Sequence, residues 1–432
     1  MVSQRLNAVR PWLIFIGCCV LSFVGFGMVV NTRGLYYQPL SEALGVPRAA
    51  FALTSSLSTL ASIVGLIFAG RILKKVDSRL LLSICMGLLS ISFVIASFGN
   101  QIWQFYAIYT IQGLLTVLPL NLAPNVLISN WFEDRFGMVM GIAGGLSGLG
   151  GTVFNPLVSS FITNFGWRAS YQITAVVLAV CILPFTILVL KYRPNEAKGE
   201  VAYGHGKAAK KATAKATDGL EMKQVLRTPT FALAVMVSVC LQFVAGLVQH
   251  VSGLEVSRGL SLEQGALVVS GIMLGAFFGK TTIGMLLDRF KPELVVILYA
   301  IIGMSGWGLM GLAPNATVAI VSGVMAGIGQ GVVLIALPWI VRQSFGPKSY
   351  GEILSVMGIF GSISSAVATT LHGVIFDVAG TYAPSLICDV IIYIIATCLY
   401  IIATCLAVTA YRLRPFGKDN KNDATALAAQ EA

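Results

Sequence analysis

The sequence is poor in charge. Asp, Glu, Lys and Arg make up 11% of its 432 residues, where a soluble domain carries about a quarter. That shortage excludes a globular domain that must clothe a surface against water. Histidine is scarce too, with three residues, and the eight cysteines include no Cys-x-x-Cys pair. Neither has the spacing of a zinc or iron–sulfur centre, and no cofactor is implied. Cys18, Cys19, Cys85, Cys181, Cys240, Cys388, Cys398 and Cys405 all fall in apolar runs, which predicts buried thiols. The glycine-rich run from Gly141 to Gly151 lacks the Lys-Ser/Thr ending of a phosphate loop. No nucleophile–base pair stands out, so an enzyme is not indicated. A net charge of +11 raises nucleic acid as a partner, but the basic residues are dispersed over short loops and one linker, so no nucleic-acid partner is expected.

What fills the chain is hydrocarbon. Apolar residues make up 56%, and the mean hydropathy is +0.83. A membrane-spanning helix needs about 20 largely apolar residues. Twelve such runs start near Pro11, Pro47, Arg79, Ile102, Gly137, Arg168, Pro229, Glu263, Glu293, Ala316, Tyr350 and Pro384. No barrel-like alternation appears, and a span must satisfy its own backbone, so the runs are read as helices. The first continues past Tyr36 with no cleavage pattern, which marks a span rather than a signal peptide.

The loops then orient the chain. With the N-terminus inside, 24 of the 29 Lys and Arg fall on the cytoplasmic side. Arg48, Arg168 and Arg258 lie outside, and Arg33 and Lys280 lie within spans. This asymmetry predicts a multi-pass protein of the inner (plasma) membrane with both termini cytoplasmic. A polar, Lys-rich stretch divides the runs six and six. The expected organisation is a bundle over residues 1–191, a cytoplasmic linker over 192–227, a second bundle over 228–412 and a tail over 413–432. The linker reads as solvated chain. Glycine positions repeat across it: Gly70 and Gly284, Gly137 and Gly351, Gly144 and Gly358, Gly166 and Gly380 are each 214 residues apart. Two parallel six-helix repeats imply a substrate site near the midplane, between them.

The loop after the second run reads Gly70-Arg-Ile-Leu-Lys-Lys-Val-Asp-Ser-Arg79, and its counterpart Gly284-Met-Leu-Leu-Asp-Arg-Phe-Lys291. Both resemble the G-x-x-x-D-R-x-G-R/K signature of the major facilitator superfamily. The resemblance implies an all-α membrane protein of twelve transmembrane helices in two pseudo-symmetric six-helix bundles, working as a monomer in lipid. It also assigns Gly70, Arg79, Gly284, Asp288, Arg289 and, in the Asn130-Trp-Phe-Glu-Asp-Arg-Phe-Gly137 segment, Arg135 to the contacts that switch between states. Lys74 stands where the signature has Asp. Gly34-Leu-Tyr-Tyr-Gln-Pro-Leu, the Asn130 segment, Gly166-Trp-Arg-Ala-Ser-Tyr171 and Leu226-Arg-Thr-Pro-Thr-Phe231 are more narrowly similar to monocarboxylate porters and oxalate–formate exchangers. That similarity implies transport of small carboxylates, by exchange or with a proton. A multidrug or other-solute transporter of the same fold is the alternative.

Lys280 carries the sharpest site expectation. A charge within a span costs roughly 2.5–3.5 kcal/mol on insertion scales, so it should face a cavity or a partner. By the resemblance, it stands where the exchangers bind carboxylate. Ala276 replaces the porters' acidic residue and Met357 the exchangers' second lysine, so a monoanion is expected. Arg33 is the candidate second cation, with Asn31 and Tyr36 beside it. Among the amides within runs, Asn121 and Gln330 are expected to line the cavity. His250, His372 and Asp389 are candidate proton carriers.

Overall fold

The computed structural model describes residues 2–194, 200–204, 220–287, 289–346 and 349–412. Among them the chain is helical almost throughout, with one isolated β-bridge between Phe132 and Tyr203. Helix α1, Val2–Val20, runs into a π-helical stretch, Leu21–Phe26, then a 3-10 turn, Arg33–Tyr36, and a short helix, Tyr37–Leu44. The first half continues with α2 (Arg48–Lys75), α3 (Ser78–Ser97), α4 (Ile102–Thr116) and α5 (Phe136–Leu188). The second half comprises α6 (Pro229–Gly246), α7 (Leu262–Leu287), α8 (Pro292–Leu312), α9 (Ala316–Gly329), α10 (Tyr350–Ala379) and α11 (Ala383–Arg412).

The helix starts follow from local chemistry. Asp77 accepts a hydrogen bond from the backbone of Arg79, Thr228 from Phe231 and Asn315 from Val318. Each fills one of the amide positions that a helix start leaves unpaired. Ten helical segments among the described residues are long and apolar enough to cross a bilayer. One of them, Met138–Leu188, has 51 residues, far beyond the roughly 20 a single crossing needs. It folds at Gly166, whose φ of 80° and ψ of 161° are open to glycine alone. Short α9 is prolonged by a π-helical stretch, Val332–Ala336, and by Leu337–Phe345. Many large apolar side chains point outward, such as Val180, Leu188 and Val378, as lipid-facing surface requires.

The 214-residue repeat extends well beyond glycine. Helices start at Arg48 and Leu262, at Ser78 and Pro292, at Ile102 and Ala316, and at Phe136 and Tyr350. The 3-10 turns Arg33–Tyr36 and Leu247–His250 share that offset. So do Gly166 and Gly380, both with positive φ. Each half has its own apolar core, one built between Ile14 and Leu190 and joined by Ala266 of α7, the other between Val225 and Ala403.

The halves meet along two helix pairs, α2 with α10 and α5 with α7. The carboxylate of Asp377 accepts from the backbone amides of Arg48 (3.0 Å) and Ala49 (2.9 Å), the first two residues of α2. The Arg48 guanidinium reaches the Gly253 carbonyl (3.2 Å) and stacks 3.9 Å from the Phe376 ring centre. Deeper in, Ser56 donates to the Ala366 carbonyl (2.5 Å), and Thr152 to that of Ser270 (3.4 Å). The same pair of positions meets twice, with donor and acceptor exchanged, because 56 and 270, and 152 and 366, are 214-residue equivalents. A Cβ on Gly34 would collide with the Gln249 carbonyl. We call this the sealed end. Toward the opposite end, by contrast, open space surrounds Gly141, Gly144, Gly351 and Gly358.

Three sequence expectations are revised. The first helix begins at Val2 and carries Pro11 inside it, so the proline marks the start of the apolar run and not of the helix. Cys18 and Cys85 are buried as expected, but Cys398 is exposed on α11. The segment expected to be a solvated linker is partly anchored. Glu200, 2% exposed, bonds Arg10 and Lys191, both at 2.6 Å. Tyr203 exchanges backbone hydrogen bonds with Trp131, Glu133 and Asp134. One buried acid gathers two basic residues that read from sequence as mere topology signals. The tail, 413–432, lies outside the described residues.

Candidate functional site

A cavity of about 300 Å³ lies among Arg33 at the end of the first span, α2 and α4, with Ser362 of α10 completing its wall. Its polar lining is Arg33, Ser58, Thr59, Ser62, Thr116 and Asn121. Asn121 is placed there by a second π-helical stretch, Val117–Leu122, where the wider turn sets the following residues off the regular helical face. Arg33 is 9% exposed. Its Nε donates to the Val29 carbonyl (2.9 Å), its Nη1 to Ser58 Oγ (2.8 Å), and its guanidinium stands 5.4 Å from the Tyr109 ring centre. Among the described residues no carboxylate lies within ion-pair distance of it. A buried guanidinium held by neutral acceptors, facing a cavity, keeps donors for an anion that enters.

A smaller cavity, about 40 Å³, occupies the second half and is lined by Gln242, Val244, Trp307, Gln330 and Tyr393, among others. Val30 and Val244, and Thr116 and Gln330, are 214-residue equivalents, so the two cavities share two equivalent lining positions. The first cavity carries a cation and the second carries amides.

The structure thus brings Arg33 and Asn121 together and puts Gln330 at the equivalent place opposite. It separates the other candidates from that cavity. Asn31 donates to the Ser147 carbonyl (2.8 Å) and lies against Gly151 and Met273, where α5 meets α7. Tyr36 turns into the core of its own half: its hydroxyl bonds Ser170 Oγ (2.8 Å) and its ring stacks 4.3 Å from Tyr171. Lys280 is partly buried on α7, outside the lining of both cavities. It shares a helix face with Met273 and Phe277, which pack on α5 at Gly148 and Gly145. Lys280 comes next along that face, where α5 opens out at Gly144. Among the described residues it makes no hydrogen bond or ion pair.

His250, His372 and Asp389 come together behind the sealed end. His372 Nε2 lies 3.6 Å from Asp389 Oδ2, both side chains fully buried. The His250 and His372 ring centres are 6.3 Å apart. Of the switching residues, Arg79 is the second residue of α3, its amide on Asp77 (2.8 Å), and Arg135 immediately precedes α5 with φ of 58°. Gly284 lies in the last turn of α7, and Arg289 is exposed beyond it. Gly70 lies within α2, and Asp288 lies outside the described residues. The sequence reading missed Ser58, which holds Arg33, and the Arg48–Asp377 contact. A single serine in an apolar run gives no hint that it faces an arginine on the neighbouring helix, and a lone charge at a loop gives none of a partner 329 positions away.

A family model described as Major Facilitator Superfamily matches residues 18–263 and 251–430. The probable transporter MCH2 of Saccharomyces cerevisiae is 23% identical over 65% of this chain, and the oxalate:formate antiporter of Oxalobacter formigenes 23% over 60%. The matches cover 58% of each relative, so under two thirds of their length is represented. Among solved structures, a bacterial homologue of the human lysosomal transporter Spinster superposes with a TM-score of 0.68 at 15% identity, over 94% of this chain and 98% of that one.

Proposed function

This chain belongs to the major facilitator superfamily, and from that premise we propose that it is a secondary transporter of small organic anions. The observation that carries the reading is Arg33. A buried guanidinium without a carboxylate partner among the described residues, on the wall of a cavity of about 300 Å³, is unfavourable until an anion joins it. Ser58 fixes one edge of the fork, and Thr116 and Asn121 offer neutral groups for the rest of a small solute. The similarity to an oxalate:formate antiporter supports the same class.

In this reading the chain crosses the membrane twelve times, as residues 1–191 and 228–412, joined by a cytoplasmic linker. The positive-inside rule assigns the end carrying both termini to the cytoplasm of an inner membrane. The sealed end is then outside, and the cavity opens inward. Substrate meets Arg33 first. Lys280, at the parting of α5 and α7, supplies a second cation when the inner ends approach, and Gln330 contributes from the opposite half. The loop residues Gly70, Arg79, Arg135, Gly284, Asp288 and Arg289 make the contacts of the state closed at the inner end. The two halves rock about the shared site as one monomer.

The test is uptake of labelled formate, acetate, lactate, pyruvate, oxalate and a cationic dye into proteoliposomes. Arg33→Ala and Lys280→Ala are measured alongside. Removing a charge-assisted hydrogen bond is worth about 1.5–3 kcal/mol. Arg33→Ala is therefore expected to raise the KM for the transported carboxylate by about ten- to a hundredfold. Dye movement without carboxylate movement, or carboxylate uptake indifferent to Arg33, overturns the reading.

A further inference from the structure

The His372–Asp389 pair lies away from the substrate cavity, behind the sealed end, and no step described so far uses it. Asp389 sits in the first turns of α11 and His372 near the end of α10, across the bend at Gly380. Both are fully buried, with Nε2 and Oδ2 3.6 Å apart. Among the described residues neither carboxylate oxygen meets a hydrogen-bond donor, and the backbone of Phe243 also faces the imidazole.

The surrounding charges are engaged elsewhere. From α2 comes Arg48, committed to the Gly253 carbonyl, the Tyr382 hydroxyl and the Phe376 ring. Asp377, on α10, takes the amides of Arg48 and Ala49. From the segment after α6 comes His250, with Nε2 on the Thr369 carbonyl (2.7 Å) and Nδ1 on the Tyr382 hydroxyl (3.1 Å). A carbonyl only accepts, so Nε2 carries a hydrogen, and Nδ1 accepts from Tyr382 in the neutral ring. Further along, Glu255 faces Arg258 at 3.8 Å. From the first half comes Tyr37, its ring centre 5.1 Å from that of His250. The neighbouring part of α8, from Met304 to Leu312, has no ionisable side chain. No fixed cation is left for Asp389. Its charge is balanced only by a proton, held on its own oxygen or on His372.

We propose that His372 and Asp389 form a binding site for one transported proton, and that the outer end closes only with that proton in place. This rests on the anion-transport reading above. Gly373, next to His372, packs against the backbone of Ala49 at the start of α2. When the outer end opens, α2 withdraws and the pair faces external water. When it closes, the pair is shut into an apolar wall, where a lone carboxylate costs several kcal/mol. Closure thus selects the protonated pair. Ring contacts lead from His372 to His250 (6.3 Å between centres) and from His250 to Tyr37 of the first half (5.1 Å), so the pair borders polar groups on that side. One proton is taken up outside and released inside per turnover. No other bond changes.

The experiment uses the full chain in proteoliposomes containing a pH-sensitive dye, with labelled lactate, pyruvate and oxalate as probes. Counterflow at equal pH is measured first, then accumulation under an acid-outside gradient. For one proton per monoanion, wild type is expected to accumulate the transported carboxylate about tenfold per pH unit, with the lumen acidifying on uptake. Asp389→Asn is expected to bring that accumulation down to about onefold, while labelled carboxylate still equilibrates. His372→Gln, whose fold is checked by thermal unfolding in detergent, is expected to do the same. Gradient-driven accumulation in either variant overturns the proposal. So does wild-type counterflow with no gradient response and no lumen acidification, which leaves the anion reading standing. Absence of carboxylate counterflow in wild type removes the anion reading and this inference with it.

Discussion

At Arg33 the sequence and the fold agree on a charge but not on its company. The sequence marks Arg33 and Lys280 as charges within apolar runs, and both are legible because such residues are costly there. It cannot say which faces the cavity, because a rotation of one residue on a helix turns a side chain by about 100°. The same ambiguity hides Tyr36, which stacks on Tyr171 instead of meeting solute. The Asp389–His372 meeting depends on a bend between two helices, and each residue alone looks like a packing group. Gly34 shows a tight residue-scale constraint between the halves. A Cβ there would strike the Gln249 carbonyl across the sealed end, so a side chain blocks closure without touching the cavity. Gly34→Val is expected to leave the outer end open. Labelling of a cysteine introduced by Ala49→Cys should become several-fold faster in that background. An unchanged rate would show that the contact yields.

Helix starts were the most readable elements. Runs expected from Ile102, Ala316 and Tyr350 begin there, and those near Pro47, Arg79 and Glu263 begin within one residue. Caps and prolines write them locally. The π-helical stretches, Leu21–Phe26, Val117–Leu122 and Val332–Ala336, leave no periodic signature in an apolar run, yet all three border the cavities. The two bends allow a graded prediction. Gly166 has φ 80° and ψ 161°, a region glycine alone occupies, whereas Gly380, at φ 68° and ψ 3°, is in the left-handed helical region. Gly166→Ala is expected to cost about 1–3 kcal/mol and Gly380→Ala about 1 kcal/mol. Thermal unfolding in detergent should rank them in that order.

For the whole molecule, the sealed end is held by few polar contacts, and the Asp377 carboxylate on the α2 amides is the clearest. A carboxylate at a helix N-terminus is worth about 0.3–1 kcal/mol when exposed and up to about 2 kcal/mol when partly buried. An equilibrium between two such states moves tenfold for 1.4 kcal/mol. Asp377 is exposed, so Asp377→Ala is expected to raise the outward-open population by about two- to fivefold. A spin-label or fluorophore pair spanning the starts of α2 and α11 should report it as a longer mean distance. No change in the distance distribution would place the hold elsewhere, on Ser56 and Thr152.

The halves have kept their lengths while losing their letters. Arg48 answers to Leu262, Ser78 to Pro292 and Arg33 to Leu247, yet turns, bends and helix starts recur without the gain or loss of one residue. In a duplicated gene that record means point changes were tolerated where insertions were not. The spacing between cap and cap is what each copy inherited. Cut points for building hybrid transporters are therefore already marked at the matched helix starts, such as 48 with 262 and 102 with 316, where an exchange keeps the spacing from cap to cap.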